Sequence, residues 1–334
     1  MFYECTDNHT SILPDIRIVG VGGAGINILN QICTNTENLS FIAMDSSKGC
    51  IDATEWEQKV ILGGSHQKLG GGGNPEKGRQ FAMQSLHDIE HNLSGADMVL
   101  LVAGLGGGVG SGALPVIADV AKKVCSVVIC FTVMPFPFEG KKRSNFARET
   151  CQALEHLGVA IAVLSNKQVL NNFPPETPFL EIMKEMGYQL SSLVSKFLNI
   201  IMTNGMINID FSDMKTILSA RGHLFIGNPE NEKTTLSEDL IEQAMDNKVL
   251  DPFHLSQANR AILLIEAGAE FNLGCLHDIG GKVEAISQKD MNLIMGVNIT
   301  SNIRDGVKVM LLMMSEFETA HQTSEITLVS QWHE

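Results

Sequence analysis

A chain of 334 residues is long enough for two domains around a sizeable core. Its formal charge of −14 excludes a protein that coats nucleic acid, because duplex phosphates demand a cationic face. Hydrophobic residues at 44% are ordinary for a globular protein, no apolar run reaches membrane-spanning length, and seven cysteines without a Cys-x-x-Cys fit a reducing compartment. The N-terminus, Met1-Phe-Tyr-Glu-Cys, has no basic segment running into an apolar one, so no signal peptide is expected. The expectations are a cytoplasmic location, no nucleic-acid partner and no direct membrane insertion.

Residues 1–14 read as a lead-in. Ile16-Arg-Ile-Val19 is a short strand, Gly20-Val-Gly-Gly-Ala-Gly25 turns, and Ile26–Cys33 has helical spacing. Leu39–Met44 is a second strand ending at Asp45-Ser-Ser47, and Val60-Ile-Leu62 is a third. Gly70-Gly-Gly-Gly-Asn-Pro-Glu-Lys-Gly78 leads into a helix over 79–92. The apolar run Met98–Ala103 is a strand, Gly104-Leu-Gly-Gly-Gly-Val-Gly-Ser-Gly112 a loop, and Ala113–Lys123 a helix. Strand Ser126–Val133, the turn 134–143, a helix through 156 and strand Val159–Leu164 close a first half in which strands alternate with helices. That alternation predicts an α/β fold with a doubly wound, mainly parallel sheet, whose ligands sit outside the carboxyl ends of its strands.

Residues 179–203 predict one long helix, apolar around more than one face and so buried between two layers. Beyond it, helices at Phe211–Leu218 and Ser237–Asn247 and strands at Gly222–Gly227, Ala261–Glu266, Leu293–Val297 and Glu325–Val329 describe a second, smaller α/β unit. Helical patterns lie between those strands, its sheet type is open, and methionines such as Met310, Met313 and Met314 read as core filling.

The chemistry concentrates in glycine. Strand, glycine loop and helix at 98–123 aim backbone N–H groups and a helix N-terminus at one point, which suits an anion and above all a phosphate. Gly20-Val-Gly22-Gly-Ala-Gly25 matches the dinucleotide fingerprint, with Asp45 at a strand end twenty residues beyond Gly25. Taken alone it predicts a nicotinamide or flavin enzyme with Asp45 on the ribose. The run at 70–73 is a third glycine loop on the same sheet edge; a dinucleotide enzyme needs one such loop and does not explain three. No Gly-x-x-x-x-Gly-Lys-Ser/Thr occurs, so phosphates would be cradled without a P-loop lysine. The histidines and cysteines show no metal-ligand spacing, and no residue is expected to be a metal ligand.

Gly106-Gly-Gly-Val-Gly-Ser-Gly112 resembles the phosphate loop of the tubulin/FtsZ superfamily, usually Gly-Gly-Gly-Thr-Gly-Ser/Thr-Gly. Gly22-Gly-Ala-Gly-Ile-Asn27 resembles the first FtsZ nucleotide loop, Gly71–Gly78 the third, Pro135–Arg143 the ribose stretch, and Asn208–Asp213 the loop that acts across the subunit boundary. The likeness is collinear from about residue 15 to 330, and the chain is identified as a divergent member of the FtsZ family.

The resemblance implies a nucleotide-binding domain at 1–178, a central helix at 179–205 and a C-terminal activation domain at 206–334. It implies GTP or GDP as cofactor, with magnesium, held by Gly22, Gly23, Ala24, Gly25, Ile26 and Asn27, by Gly72 and Gly73, and by Gly106, Gly107, Gly108, Val109, Gly110 and Ser111. Glu139 would accept from the sugar hydroxyls, Arg143 would face ribose or phosphate, and Asn166 would contact base or sugar. Met183 and Gly187 fall where the family stacks a Phe on guanine and reads its edge with Asp or Asn. Asn208, Asp210 and Asp213 would orient the attacking water from the neighbouring subunit of a head-to-tail homopolymer. Against that stands the plainer reading that both aspartates cap the helix after them. Other FtsZ or division proteins are further partners on this reading, and cell division or a related process its setting.

Three departures fall inside that site. Val109 replaces a threonine, Asp45-Ser46-Ser47 stands for Asn-Thr-Asp, and Gly187 offers no side chain to the base. They keep two alternatives open: a nucleotide-binding scaffold of the same fold with weak or no hydrolysis, and an NAD-dependent oxidoreductase.

Overall fold

The computed structural model describes residues 14–32, 39–64, 70–170, 173–202, 209–227, 240–245, 250, 255–287, 290–301, 303 and 306–317. Its strands are β1 (Ile16–Val21), β2 (Leu39–Asp45), β3 (Gln58–Ile61), β4 (Met98–Gly104), β5 (Val127–Val133), β6 (Ala160–Leu164), β7 (Gly222–Gly227), β8 (Arg260–Ala267), β9 (Asn292–Ile299) and β10 (Val307–Glu316). Its helices are α1 (Gly22–Leu29), α2 (Lys48–Asp52), α3 (Pro75–Gln84), α4 (Leu86–Leu93), α5 (Gly108–Gly112), α6 (Leu114–Val124), α7 (Lys141–Leu157), α8 (Asn166–Leu170), α9 (Phe179–Met202), α10 (Phe211–Leu218), α11 (Leu240–Met245) and α12 (Leu273–Ile286).

All ten strands form one sheet in the order β3-β2-β1-β4-β5-β6-β7-β10-β8-β9. Neighbours from β3 to β7 are parallel, β10 runs antiparallel to β7 and β8, and β8 and β9 are parallel. The α/β, doubly wound, mainly parallel expectation therefore holds, and the sheet type left open for the second unit is mixed. Strands β4 and β5 are buried along almost their whole length, as continuous apolar runs covered on both faces should be. The chain steps outward from β1 to β3 and returns on the other side of β1 to β4, so the order reverses between β1 and β4. That reversal opens a crevice at the carboxyl ends of these two strands.

One apolar layer lies under α9 and joins Phe131, Phe197, Ile217 and Leu263; the other lies under α3, α4, α6 and α7. Helix α9 is buried along its later turns, where the ring of Phe197 meets Phe131 edge-on at 5.5 Å. Its first turns leave Phe179, Leu180, Met183 and Tyr188 exposed.

Several boundaries moved. Helix α1 starts at Gly22, four residues before Ile26, because the fingerprint glycines form its first turn. The helix expected over 79–92 starts at Pro75, capped by Asn74, and breaks at Ser85, whose Oγ accepts from the N–H of Gly63. Strand β10 stands in a stretch read as helical, and is the main correction to the fold. Its run Val307–Ser315 is buried at nearly every position between β7 and β8, so no alternation betrays a strand. The strand expected at 325–329 lies outside the described residues, as do the ends of the helix expected over 237–247.

Candidate nucleotide site

Three helix starts converge on the β1–β4 crevice. Neither Val21 before α1 nor Gly107 before α5 caps its helix with a side chain, which leaves first-turn N–H groups for a ligand. Helix α3 is capped by Asn74, whose side chain accepts from the N–H of Glu76 at 3.0 Å. The loops are keyed into one another through missing side chains. A Cβ on Gly25 would lie 2.2 Å from the carbonyl oxygen of Val102 in β4, and one on Gly112 would lie 1.8 Å from that of Pro75 in α3. Gly106 donates its N–H to Ser111 Oγ at 2.7 Å, and Thr150 Oγ1 donates to the Ser111 carbonyl, so the phosphate-loop turn is pinned from within.

The expected loop residues divide by exposure. Ala24, Asn27, Gly72 and Gly73 are exposed, and Gly23 and Gly107 are half-buried. Gly22, Gly25, Gly106, Gly108, Gly110 and Ser111 are buried in the interlock. Ile26 packs with Ala43 and Ile51 in a small core cluster, and Val109 belongs to the larger core with Leu105 and Ala113. These two face apolar neighbours.

Asp45 is 4% exposed, and its carboxylate accepts from the N–H of Ser47 at 2.7 Å and from backbone N–H groups of Ser46 and Gly23. It fastens the end of β2 to the start of α1. Burial pushes the Asp45 carboxyl above its ordinary value, while these N–H groups pull it partly back. A folded value above the unfolded one means that its contribution to stability is full below the unfolded value and is lost as pH rises through the folded one. Asp45→Asn removes that loss: its melting temperature relative to wild type should rise as the pH is raised from 4 to 7. Parallel melting curves that keep a constant offset across this range would refute the assignment.

Against the crevice lies the turn at 134–143. Glu139 accepts from the N–H of Phe136 at 2.8 Å and pairs with the guanidinium of Arg143. The backbone of Arg143 packs on Gly106, which docks this turn on the phosphate loop. Phe138 stacks on Phe136 at 4.8 Å and meets Phe179 edge-on at 6.1 Å, tying the turn to the start of α9. Asn166 is buried at the start of α8. On α9, Met183 is exposed and Gly187 half-buried. A residue that sequence reasoning passed over sits there too: the carboxamide of Gln31, at the end of α1, lies directly against Gly187. Its sequence signal is its place four residues after Asn27, just past the end of α1.

The expected catalytic group lies elsewhere. Asp210 caps α10, accepting from the N–H of Ser212 at 3.3 Å, and Asp213 is exposed in the first turn; Asn208 is outside the described residues. Ile209, beside Asp210, packs on Gly296 of β9, the edge strand at the far side of the sheet. Helix α10 itself packs on β5 and β8. Helix α9, with Phe179 beside the ribose turn, carries the chain away over 24 residues, about 36 Å. Along the chain the cradle and the aspartates lie beyond opposite ends of α9.

A cavity of about 510 Å³ between α7 and strands β6 and β7 takes in Arg148, Cys151, Glu155 and His223 and reaches Pro135 and Pro137 of the 134–143 turn. Burial pushes the Cys151 thiol up to about 11, so it stays protonated at neutral pH and is no nucleophile. Among the described residues no group of three His, Cys, Asp or Glu could hold a metal ion, and no helix is long and apolar enough to cross a membrane.

Comparison with known proteins agrees with this geometry. Residues 15–174 match the family model described as Tubulin/FtsZ family, GTPase domain, and residues 222–316 that of the FtsZ family, C-terminal domain. Cell division protein FtsZ of Pseudomonas aeruginosa is 32% identical over 309 residues, which span 92% of this chain and 78% of the relative. FtsZ of Azotobacter vinelandii is 32% identical over 296 residues, 88% and 75% of the two chains. Among solved structures, an FtsZ mutant from M. jannaschii superposes with a TM-score of 0.78 at 26% identity, covering 91% of this chain and 92% of that one. A CetZ from Haloferax volcanii, solved as a GTPγS-bound protofilament, shares the fold at a TM-score of 0.72 and 18% identity, over 92% and 95% of the two chains.

Proposed function

The chain belongs to the FtsZ family, and from that premise we propose that it polymerises head to tail and hydrolyses GTP between subunits. In this reading the cradle of one subunit holds the phosphates, and Asn208, Asp210 and Asp213 of the next orient the attacking water. The observation that carries it is the span of α9, about 36 Å, between the ribose turn and the aspartates, which favours a site shared between two copies. An exposed apolar edge formed by Phe138, Phe179, Leu180 and Tyr188 beside the cradle supports self-association. Cell division or a related process is the corresponding role, with other FtsZ or division proteins as further partners.

The chemistry asks for positioning more than covalent help. The α1 and α5 first turns supply N–H donors to the phosphates, and Arg143, held by Glu139, supplies a fork that reaches ribose or phosphate. With no three-residue ligand group among the described residues, a magnesium ion would be held chiefly by the triphosphate itself. The dinucleotide reading loses its acid, since the Asp45 carboxylate is buried and spent on protein N–H groups.

Turnover per subunit should rise above a threshold protein concentration and coincide with pelleting. Turnover independent of concentration would sink the shared-site reading. A scaffold that hydrolyses poorly is the second reading, and Val109 favours it: its side chain sits in the core where a threonine would bring a hydroxyl to the loop. Val109→Thr should raise turnover several-fold while costing about 1 kcal/mol of stability for the buried hydroxyl. Unchanged turnover in a folded variant would show that Val109 does not limit the chemistry.

A further inference from the structure

The cavity under α7 has a built floor and roof. Ser144, Arg148, Cys151 and Glu155 line it at the spacing of a single helical face. Beneath them lies the sheet, in rows set by its register. Ile161 of β6 pairs with His223 of β7, and His223 with Ser315 of β10. Two residues further along each strand, Val163, Phe225 and Met313 line the next row. Glu155 lies 3.9 Å from His223, so the later turns of α7 stand over the first row. Met134, which leads into the turn before α7, donates its N–H to the Leu164 carbonyl at the carboxyl end of β6. The helix therefore runs against the strand, and Arg148 lies toward the end where Ser165 and Lys167 line the cavity. From Glu155 to Arg148 is seven residues within α7, about 10 Å at 1.5 Å each. Arg148 and Lys167 are exposed, and neither makes a hydrogen bond or ion pair with a described residue.

We propose that this slot binds a medium-chain carboxylate, its head between Arg148 and Lys167 and its chain along Val163, Phe225 and Met313. The sign of the head follows from the charges around it. Glu155 faces His223 at one end of the slot, whereas the two cations at the other end have no carboxylate beside them. In a chain of formal charge −14, an unmatched pair of cations at a cavity is an anion site in waiting. A carboxylate accepts two parallel N–H bonds from a guanidinium, and the lysine adds a second positive charge. The body must be apolar, because the middle row offers carbon and sulfur but no hydrogen-bond partner for a sugar or a peptide. A volume of about 510 Å³ is that of a small-molecule site. The slot also touches both units: Pro135 and Pro137 belong to the turn beside the cradle, and Leu224 and Met313 to strands that follow α9. A ligand here would bridge them.

The test is calorimetric titration of hexanoate, octanoate, decanoate, decanol and decyltrimethylammonium into the full chain. Three proteins are compared: wild type, the double variant Arg148→Glu/Lys167→Glu, and Lys184→Glu, which reverses an exposed cation on α9. Wild-type affinity should rise about fourfold per added methylene from hexanoate to decanoate. Decanol and the ammonium should bind at least about tenfold more weakly than decanoate. The double variant should weaken decanoate at least about tenfold and leave decanol within about twofold, while Lys184→Glu changes neither. All three substituted residues are exposed, so melting curves should match wild type. Affinity that does not grow with chain length overturns the site, as does an ammonium that binds as well as decanoate. Equal loss in Lys184→Glu, or no loss in the double variant, overturns it too, and so does decanoate that fails to bind wild type at millimolar concentration.

Discussion

Asp213→Ala should lower nucleotide turnover by at least about 100-fold and leave the affinity of the isolated subunit for nucleotide unchanged. The reason lies in the distance between the cradle and α10. Asp213 is exposed in the first turn of α10 and is not the residue that caps it; Asp210 does that through the N–H of Ser212. Losing the Asp213 carboxylate should therefore cost the fold little, while the group proposed to orient water at the subunit boundary is gone. Single-turnover hydrolysis above the assembly threshold, beside binding measured below it, separates the two effects. Equal loss of binding would give Asp213 a structural role and remove the shared site. Mixed filaments sharpen the result, because variant subunits should silence the nucleotide of the wild-type subunits they cap.

Gly112→Ala should damage both folding and binding. Its new Cβ would meet the Pro75 carbonyl oxygen at 1.8 Å and the Arg79 nitrogen at 2.8 Å, all backbone of α3 that has no rotamer to give. Overpacking of this kind costs about 3 kcal/mol, since α5 must lift off α3, and the lift pulls apart the loops that aim N–H groups at the phosphates. The expectation is a melting temperature lowered by about 6–10 °C and nucleotide affinity weakened more than about tenfold. Gly107→Ala, five residues earlier but with nothing within 4 Å and a negative φ of −92°, should keep its stability within about 0.5 kcal/mol. If both variants melt together, the interlock of α3 and α5 is not what those glycines serve.

Those two glycines look alike in the sequence and differ only in the fold. The motif Gly106–Gly112 announces a close-packed, anion-directed loop because strand, glycine run and helix are consecutive in the chain. Which of its members touch backbone, which keep a turn open and which face solvent depends on α3, which arrives from elsewhere in the sequence. The same limit explains Val109 and Ile26: expected at the ligand by their place in a motif, they pack into core clusters.

The sequence by itself determined what is local: alternating strands and helices, the parallel first half, the long helix at 179–202, and three glycine loops at strand ends. Periodicity and consecutive motifs carry that information because neighbouring residues share one backbone geometry. The tertiary structure alone decided what depends on distant partners. It made Val307–Glu316 a strand, because burial on both faces erases the alternation that would have revealed it. It set Asp210 and Asp213 beyond the end of α9 that is remote from the cradle, and it laid Gln31 against Gly187. Packing of surfaces far apart in the chain fixes such pairs, and no local pattern of residues encodes them.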